Sequence, residues 1–106
     1  MRISITVVCG EDLVYRTDGA RLRAAIDAAW NAGETVEVDF ANLRIASASF
    51  LDEGIAHIAL VRSLEEIRTR LRVVNITAPD RRLLNDLLGS RARQRLAALA
   101  QTAQAT

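Results

Sequence analysis

Apolar and polar residues change period several times along the chain, and each change marks an element. Ile3, Ile5, Val7 and Cys9 alternate with Arg2, Ser4, Thr6 and Val8, a period of two that predicts a strand with one buried face. Gly10-Glu11-Asp12 reads as a turn, and Leu13-Val14-Tyr15-Arg16 is expected to pair back as a second short strand. From Gly19 the period lengthens: Leu22, Ala25, Ile26, Ala29 and Trp30 form one helical stripe, with Thr17 or Asp18 as cap. Asn31-Ala32-Gly33 stops that helix, Gly33 being suited to a left-handed cap. Thr35 to Phe40 alternates again, with Val36, Val38 and Phe40 on one side and Glu37 and Asp39 on the other. A helix is predicted from Ser49 to Arg62 on the stripe Leu51, Ile55 and Ile58. Ser63-Leu64-Glu65-Glu66 has capping-box spacing and opens a short helix to about Arg70.

Leu71 to Ile76 is a short apolar run suited to a buried strand. Thr77-Ala78-Pro79-Asp80 then opens a helix: threonine caps, proline sits in the first turn and aspartate at the third position. Leu83, Leu84, Leu87 and Leu88 are its apolar stripe. Gly89-Ser90 marks a break, with Ser90 capping a last helix that carries Leu96, Leu99 and Ala100. The tail from Gln101 to Thr106 is expected to fray. Strands alternating with helices imply crossover connections and a partly parallel sheet. The fold class is therefore α/β, one domain over residues 1–106, with a mixed four-stranded sheet. Its strands alternate rather than run apolar throughout, so the helices are expected mainly on one face.

Composition narrows the chemistry. A chain of 106 residues has room for one domain with one core. No apolar run reaches the roughly 18–20 residues of a membrane helix, and the first residues have no signal-peptide shape, so a cytoplasmic location is expected. One cysteine and one histidine make neither an internal disulfide nor a structural zinc site, and no metal or cofactor is expected. Net charge is +1, but it is unevenly spread: residues 1–59 carry five arginines against nine acids, and residues 60–106 nine arginines against four. Arg81, Arg82, Arg91, Arg93 and Arg95 offer a basic helical surface. Four aromatic residues in all (Tyr15, Trp30, Phe40, Phe50) are few for a base-stacking platform, so a nucleic-acid-associated module stands only as the alternative.

The stretch from Val36 to Glu53 (Val-Glu-Val-Asp-Phe-Ala-Asn-Leu-Arg-Ile-Ala-Ser-Ala-Ser-Phe-Leu-Asp-Glu) resembles the STAS superfamily of sulfate transporter and anti-sigma factor antagonist domains. In wording it is most similar to the bacterial STAS-like domains of unknown function. The likeness extends over roughly residues 10–90. It implies a regulatory module whose partner is a histidine-kinase-like ATPase or an anti-sigma factor. In anti-sigma factor antagonists the loop after this strand reads Asp-Ser-Ser/Thr-Gly, and the second hydroxyl residue is phosphorylated. Counted from Asp39, that position falls on Ser49, with Ser47, Ala48 and Phe50 in place of the aspartate, first serine and glycine.

The resemblance thus singles out Ser49 for phosphorylation or partner contact. Asp39, Arg44, Ser47, Asp52 and Glu53 are the surrounding contact residues. Physical chemistry leaves Ser49 a second role. Ser49-x-x-Asp52 has capping-box spacing, and such a cap stabilises a helix by about 1 kcal/mol. Asp39 serves either as a solvated strand end or as a partner contact, and Phe50 reads as a core plug. Adjacent Asp52 and Glu53 are expected to diverge on the helix rather than form a paired-carboxylate site. Glu53 and His57 lie one turn apart, yet no nucleophile, base and orienting group converge. A non-enzymatic protein-docking module is the expected function, and homodimerisation through the sheet or an edge strand is another open reading.

Overall fold

The structure, a computed structural model, describes residues 1–105; Thr106, at the end of the segment expected to fray, lies outside them. In chain order the elements are β1 (Arg2–Ser4), α1 (Ile5–Val8), β2 (Asp12–Leu13), α2 (Arg16–Asn31), β3 (Val36–Asp39) and β4 (Ile45–Ala46). They continue with α3 (Ala48–Gly54), a 3-10 helix (Ala56–Leu60), α4 (Leu64–Arg70), β5 (Leu71–Val74) and α5 (Ala78–Ala105). The predicted mixed four-stranded sheet is replaced by two small parallel ones, of order β1-β3-β5 and β2-β4.

Two departures near the N-terminus explain this. Ser4 pairs with Asp39, where β3 ends, so a longer first strand has nothing to pair with. Ile5 to Val8 instead wind into one helical turn that buries Ile5 and bonds Cys9 N–H to the Ile5 carbonyl at 2.7 Å. Strand propensity yields here to the lack of a pairing partner. Gly10, at φ 103°, then redirects the chain, and Asp12 and Leu13 pair in parallel with Ile45 and Ala46 rather than folding back as a hairpin.

Register sorts the main sheet into two faces. Ile3, Val38 and Val73 align across it, and so do Arg2, Glu37 and Arg72. The row with Ile3 and Val38 joins the core with Val36 and Phe40, while Arg2 stays exposed and meets Glu37 at 3.5 Å. Helix α2 supplies Leu22, Ile26, Ala29 and Trp30 to that core, as its stripe predicts. It starts at Arg16, three residues before Gly19, so Thr17 and Asp18 lie inside it, and Tyr15 caps it without a side-chain bond. At its end Gly33, at φ 82°, donates to the Trp30 carbonyl and Glu34 to that of Ala29, the paired bonds of a Schellman motif. Arg70 donates to the carbonyls of Trp30 and Glu34 at 2.8 and 2.9 Å, with its guanidinium 4.5 Å from the Trp30 ring centre. This ties α4 to the end of α2.

Ser63 and Thr77 cap α4 and α5 as expected, accepting from Glu66 N–H at 3.1 Å and Asp80 N–H at 3.3 Å. The predicted break at Gly89-Ser90 is absent: α5 is continuous. A helical glycine costs about 1 kcal/mol. Apolar packing by Leu84, Leu87, Leu88 and Ala92 on both sides of it offsets that cost. The helix predicted over Ser49–Arg62 is shorter and shifted. It ends at Gly54, and the tighter 3-10 winding that follows buries Ala56, Ile58 and Ala59 together.

Helices α2 and α3 cross at glycine. A Cβ on Gly19 would lie 2.8 Å from the Phe50 carbonyl oxygen and 2.9 Å from both Glu53 Cβ and Gly54 N. Gly54 approaches in turn, its own Cβ position lying 3.3 Å from the Gly19 carbonyl. Removing glycine from an unobstructed helix position gains about 0.5–1 kcal/mol. Here the clash with backbone reverses the sign, and Gly19→Ala is expected to cost about 1–3 kcal/mol. Urea unfolding of the variant checks this; a raised midpoint would refute the close crossing.

Candidate functional site

The loop from Ala41 to Ser47 leaves the central strand and enters α3. Asn42, at φ 66°, turns it, and Phe40 and Leu43 hold it to the core from beneath. Arg44 clamps it sideways. Its Nε and Nη2 donate to the two Asp12 carboxylate oxygens at 3.1 and 2.6 Å, and Glu11 lies 3.7 Å away. The N–H groups of Arg44 and Ile45 donate to the Glu11 carbonyl, and that of Ser47 to Leu13. The second half of the loop, from Arg44 to Ser47, is thus stitched to Glu11 and β2.

Ser47 is the cap of α3, a correction to Ser49. Its Oγ accepts from Phe50 N–H at 3.1 Å and donates to the Val14 carbonyl at 2.7 Å. Ser49 sits one residue inside the helix and half-buried, and its hydroxyl caps nothing. The expected Ser49–Asp52 box is therefore absent: with helix entry two residues earlier, Asp52 falls in the second turn and turns inward. Phe50 is fully buried, the core plug expected.

Asp39 is not a solvated strand end. It is 9% exposed and accepts from Asn75 Nδ2 at 2.8 Å, Ala41 N–H at 2.9 Å and Arg2 Nη2 at 2.9 Å. The Asn75 bond foremost, with those from Ala41 and Arg2, holds its pKa down at about 2. Asn75 reaches it from the end of β5 at φ 56°. Asp39 is thus tied to the start of the loop through Ala41 and to the end of β5 through Asn75.

Asp52 and Glu53 do not diverge; they anchor one charged cluster. Asp52, 3% exposed, takes both oxygens to Arg91 of α5, Nε at 2.8 Å and Nη2 at 2.5 Å. Arg16 of α2 adds a bond at 2.9 Å and lies 3.7 Å from Glu53. Arg23, one turn past Gly19, is 3.5 Å from Glu53 and donates to His57 Nδ1 at 3.0 Å. His57 lies 3.2 Å from Glu53 and, through Nε2, 3.5 Å from Asp52. Arg91, against desolvation and helped by Arg16, draws the Asp52 pKa down to about 2, and Asp52 in turn raises that of Arg91. The cluster joins α2, α3, the 3-10 helix and α5. A readable signal lay in α2: Arg16, Gly19 and Arg23 share one helical face, a bare patch between two cations.

Other candidates find structural employment. Cys9 is half-buried, its thiol 3.4 Å from the Asp18 carbonyl, and burial raises its pKa. The five C-terminal arginines do not share a face: Arg91 turns inward to Asp52, and Arg81 donates to the Val73 carbonyl at 2.9 Å. Among the described residues no group of three or more His, Cys, Asp or Glu side chains is disposed to hold a metal ion, and no helix is long and apolar enough to cross a membrane.

Around the loop, three large apolar side chains stand in solvent beside the exposed charges of Glu11, Asp12 and Arg44. Tyr15 is 70% exposed, Ile45 50% and Val14 46%. Val14 and Tyr15 follow β2, with the Val14 carbonyl bonded to the Ser47 hydroxyl, and Ile45 lies within β4, two residues ahead of Ser47.

Removing the Asp52 charge leaves Arg91 partly buried and unbalanced. Asp52→Asn is expected to cost about 2–4 kcal/mol at neutral pH. The folded carboxyl titrates at about 2, below its unfolded value of about 3.9. Its contribution is therefore complete above the unfolded pKa and disappears as pH falls through the folded one. Urea midpoints taken down to acid pH should fall less steeply in the variant than in the wild type.

No functionally curated protein and no solved structure matches the chain. One family does: its model, a STAS-like domain of unknown function (DUF4325), matches residues 18–81. The match runs from the first turn of α2, through the loop and the Gly19–Gly54 crossing, to the first turn of α5. By this match over more than half of its length, the chain belongs to the family of STAS-like domains of unknown function.

Proposed function

We propose that this domain is a non-enzymatic docking module. It binds a protein partner through the loop Ala41–Ser47, the adjoining end of β2 and the first turn of α3. The observation that carries this reading is the exposed trio of Val14 and Tyr15, just after β2, and Ile45 in the loop, on backbone braced by Arg44–Asp12 and by the β2–β4 bonds. Exposed apolar side chains on a preordered backbone bind at little entropic cost. The STAS likeness supports a histidine-kinase-like ATPase or an anti-sigma factor as partner, without a cofactor, in a regulatory pathway.

Ser49 is the natural control point of this surface. Its hydroxyl is not spent on capping, because Ser47 does that work. Asp52 and Glu53 follow it at three and four residues and so share its side of the helix. A phosphate there adds about −1.5 to −2 charges next to two carboxylates. It repels them, competes for Arg16 and alters the charge a partner meets.

The immobilised wild-type domain, incubated with host lysate, ATP and magnesium, is expected to capture an ATPase or anti-sigma factor identified by mass spectrometry. Purified, that partner should bind Ile45→Glu and Ser49→Asp at least about tenfold more weakly, a loss of about 1.4 kcal/mol, and Ser49→Ala as tightly as wild type. Equal affinity for all variants would place the interface elsewhere.

A further inference from the structure

Helix α5 begins as a core element and ends as a free one. In its first half Leu84 is buried, and Leu83, Leu87 and Leu88 pack against the core, as does Ala92 at the midpoint. Arg91 is anchored to Asp52. Beyond Ala92 the large apolar side chains are exposed: Leu96 to 60% and Leu99 to 51%. At 1.5 Å per residue its 28 residues span about 42 Å, against molecular extents of 48 × 27 × 23 Å. The distal turns therefore stand out from the body along its long axis.

These turns carry a pattern. At about 100° per residue, Ala92, Leu96 and Leu99 fall on one stripe, with Arg93 on one flank and Arg95 on the other. At its root the stripe opens into a groove of about 210 Å³ between the helix and the chain ahead of α4, lined by Arg62, Ser63, Leu64, Ala92, Arg95 and Leu96. From Leu87 to the end of the chain there is no acidic residue. Arg91 is neutralised by Asp52, which leaves Arg93 and Arg95 unbalanced beside the leucines.

Charge decides between occupants. A second copy laid stripe to stripe would set Arg93 and Arg95 against the same arginines, because flanking positions face one another across a helix pair and a two-fold interface is self-matched. A helix with acidic flanks meets the same stripe with attraction on both sides. We infer that the distal half of α5, from Ala92 onward, is a second docking surface that takes an amphipathic partner helix with an apolar stripe and acidic flanks. It lies on a different element from the loop surface and stands or falls independently of it.

The probe is a fluorescein-labelled peptide of about three heptads, with leucine in the seam and glutamate on both flanks. A second peptide carries lysine in place of every glutamate. Fluorescence anisotropy at low salt is expected to show the acidic peptide binding at least about tenfold more tightly than the basic one. The double variants Leu96→Ala/Leu99→Ala and Arg93→Gln/Arg95→Gln should each weaken that binding by a similar factor, at unchanged thermal midpoint, and Ile45→Glu should leave it intact. Equal binding of the two peptides, or no binding of the acidic one, overturns the proposal. So does light scattering that shows a wild-type dimer made monomeric by Leu96→Ala/Leu99→Ala, since the stripe would then belong to a second copy.

Discussion

Two glycines in contact govern this molecule. Gly19 and Gly54 let α2 and α3 approach until only backbone separates them, nearer than any pair with side chains could come. Two consequences follow from that spacing. The first turns of α3 are held where Phe50 and Leu51 reach the core. Arg16 and Arg23, on either side of Gly19, are brought within reach of Asp52 and Glu53. The crossing also falls at the very end of α3, where Ile55 leaves helical geometry, at φ −128°, and the chain continues as a 3-10 turn. The loop before α3 inherits its position from the same contact.

The charged cluster is best understood as a brace on that crossing. Glycine allows approach but offers no side chain to hold it. Asp52 and Glu53 do so instead, gathering cations from α2 and α5 around the buried Asp52 carboxylate. Ion pairs of this kind contribute little net stability, because desolvation opposes attraction, but they penalise alternative packings that would strand a charge. The cluster thus fixes how α3 is oriented, and with it which loop residues face outward.

Local signals read well and non-local ones did not. The stripe Leu22–Ile26–Trp30, the Gly33 stop, and the caps at Ser63 and Thr77 depend on neighbours within a turn, and each stands as its spacing predicts. The strands read over Thr35–Phe40 and Leu71–Ile76 also form, each somewhat shorter, as Val36–Asp39 and Leu71–Val74. The strand read through Cys9 ends at Ser4, because its continuation depends on the length of β3, a stretch of chain far away. The second strand was legible as an element but not in its partner, since two residues of parallel pairing carry no turn signature. Around α3, Ser47 and Ser49 are equally good capping residues by type, and the choice rests on Ser47 also bonding the Val14 carbonyl. Asp52 looks like an ordinary helix-start acid until Arg91, on another helix, is placed beside it. Of the residues expected at a partner-facing loop, Asp39 and Asp52 are buried and bonded within the fold.

The parallel pairing also bears on how the chain acquires its shape. Arg2 pairs with Glu37, Val36 with Leu71 and Asp12 with Ile45, so none of these strand pairs can form as a local hairpin. Each must wait for a whole helix-bearing segment to close, and loop closure of that length makes sheet formation slow compared with helix formation. On a ribosome, β1 emerges first and has nothing to bond with until β3 has followed it, and β3 lacks its second neighbour until β5 appears. Assembly must therefore run from the helices inward. Meanwhile the first strand, with Ile3 and the adjoining Ile5 uncovered, is the part of the nascent chain most in need of protection.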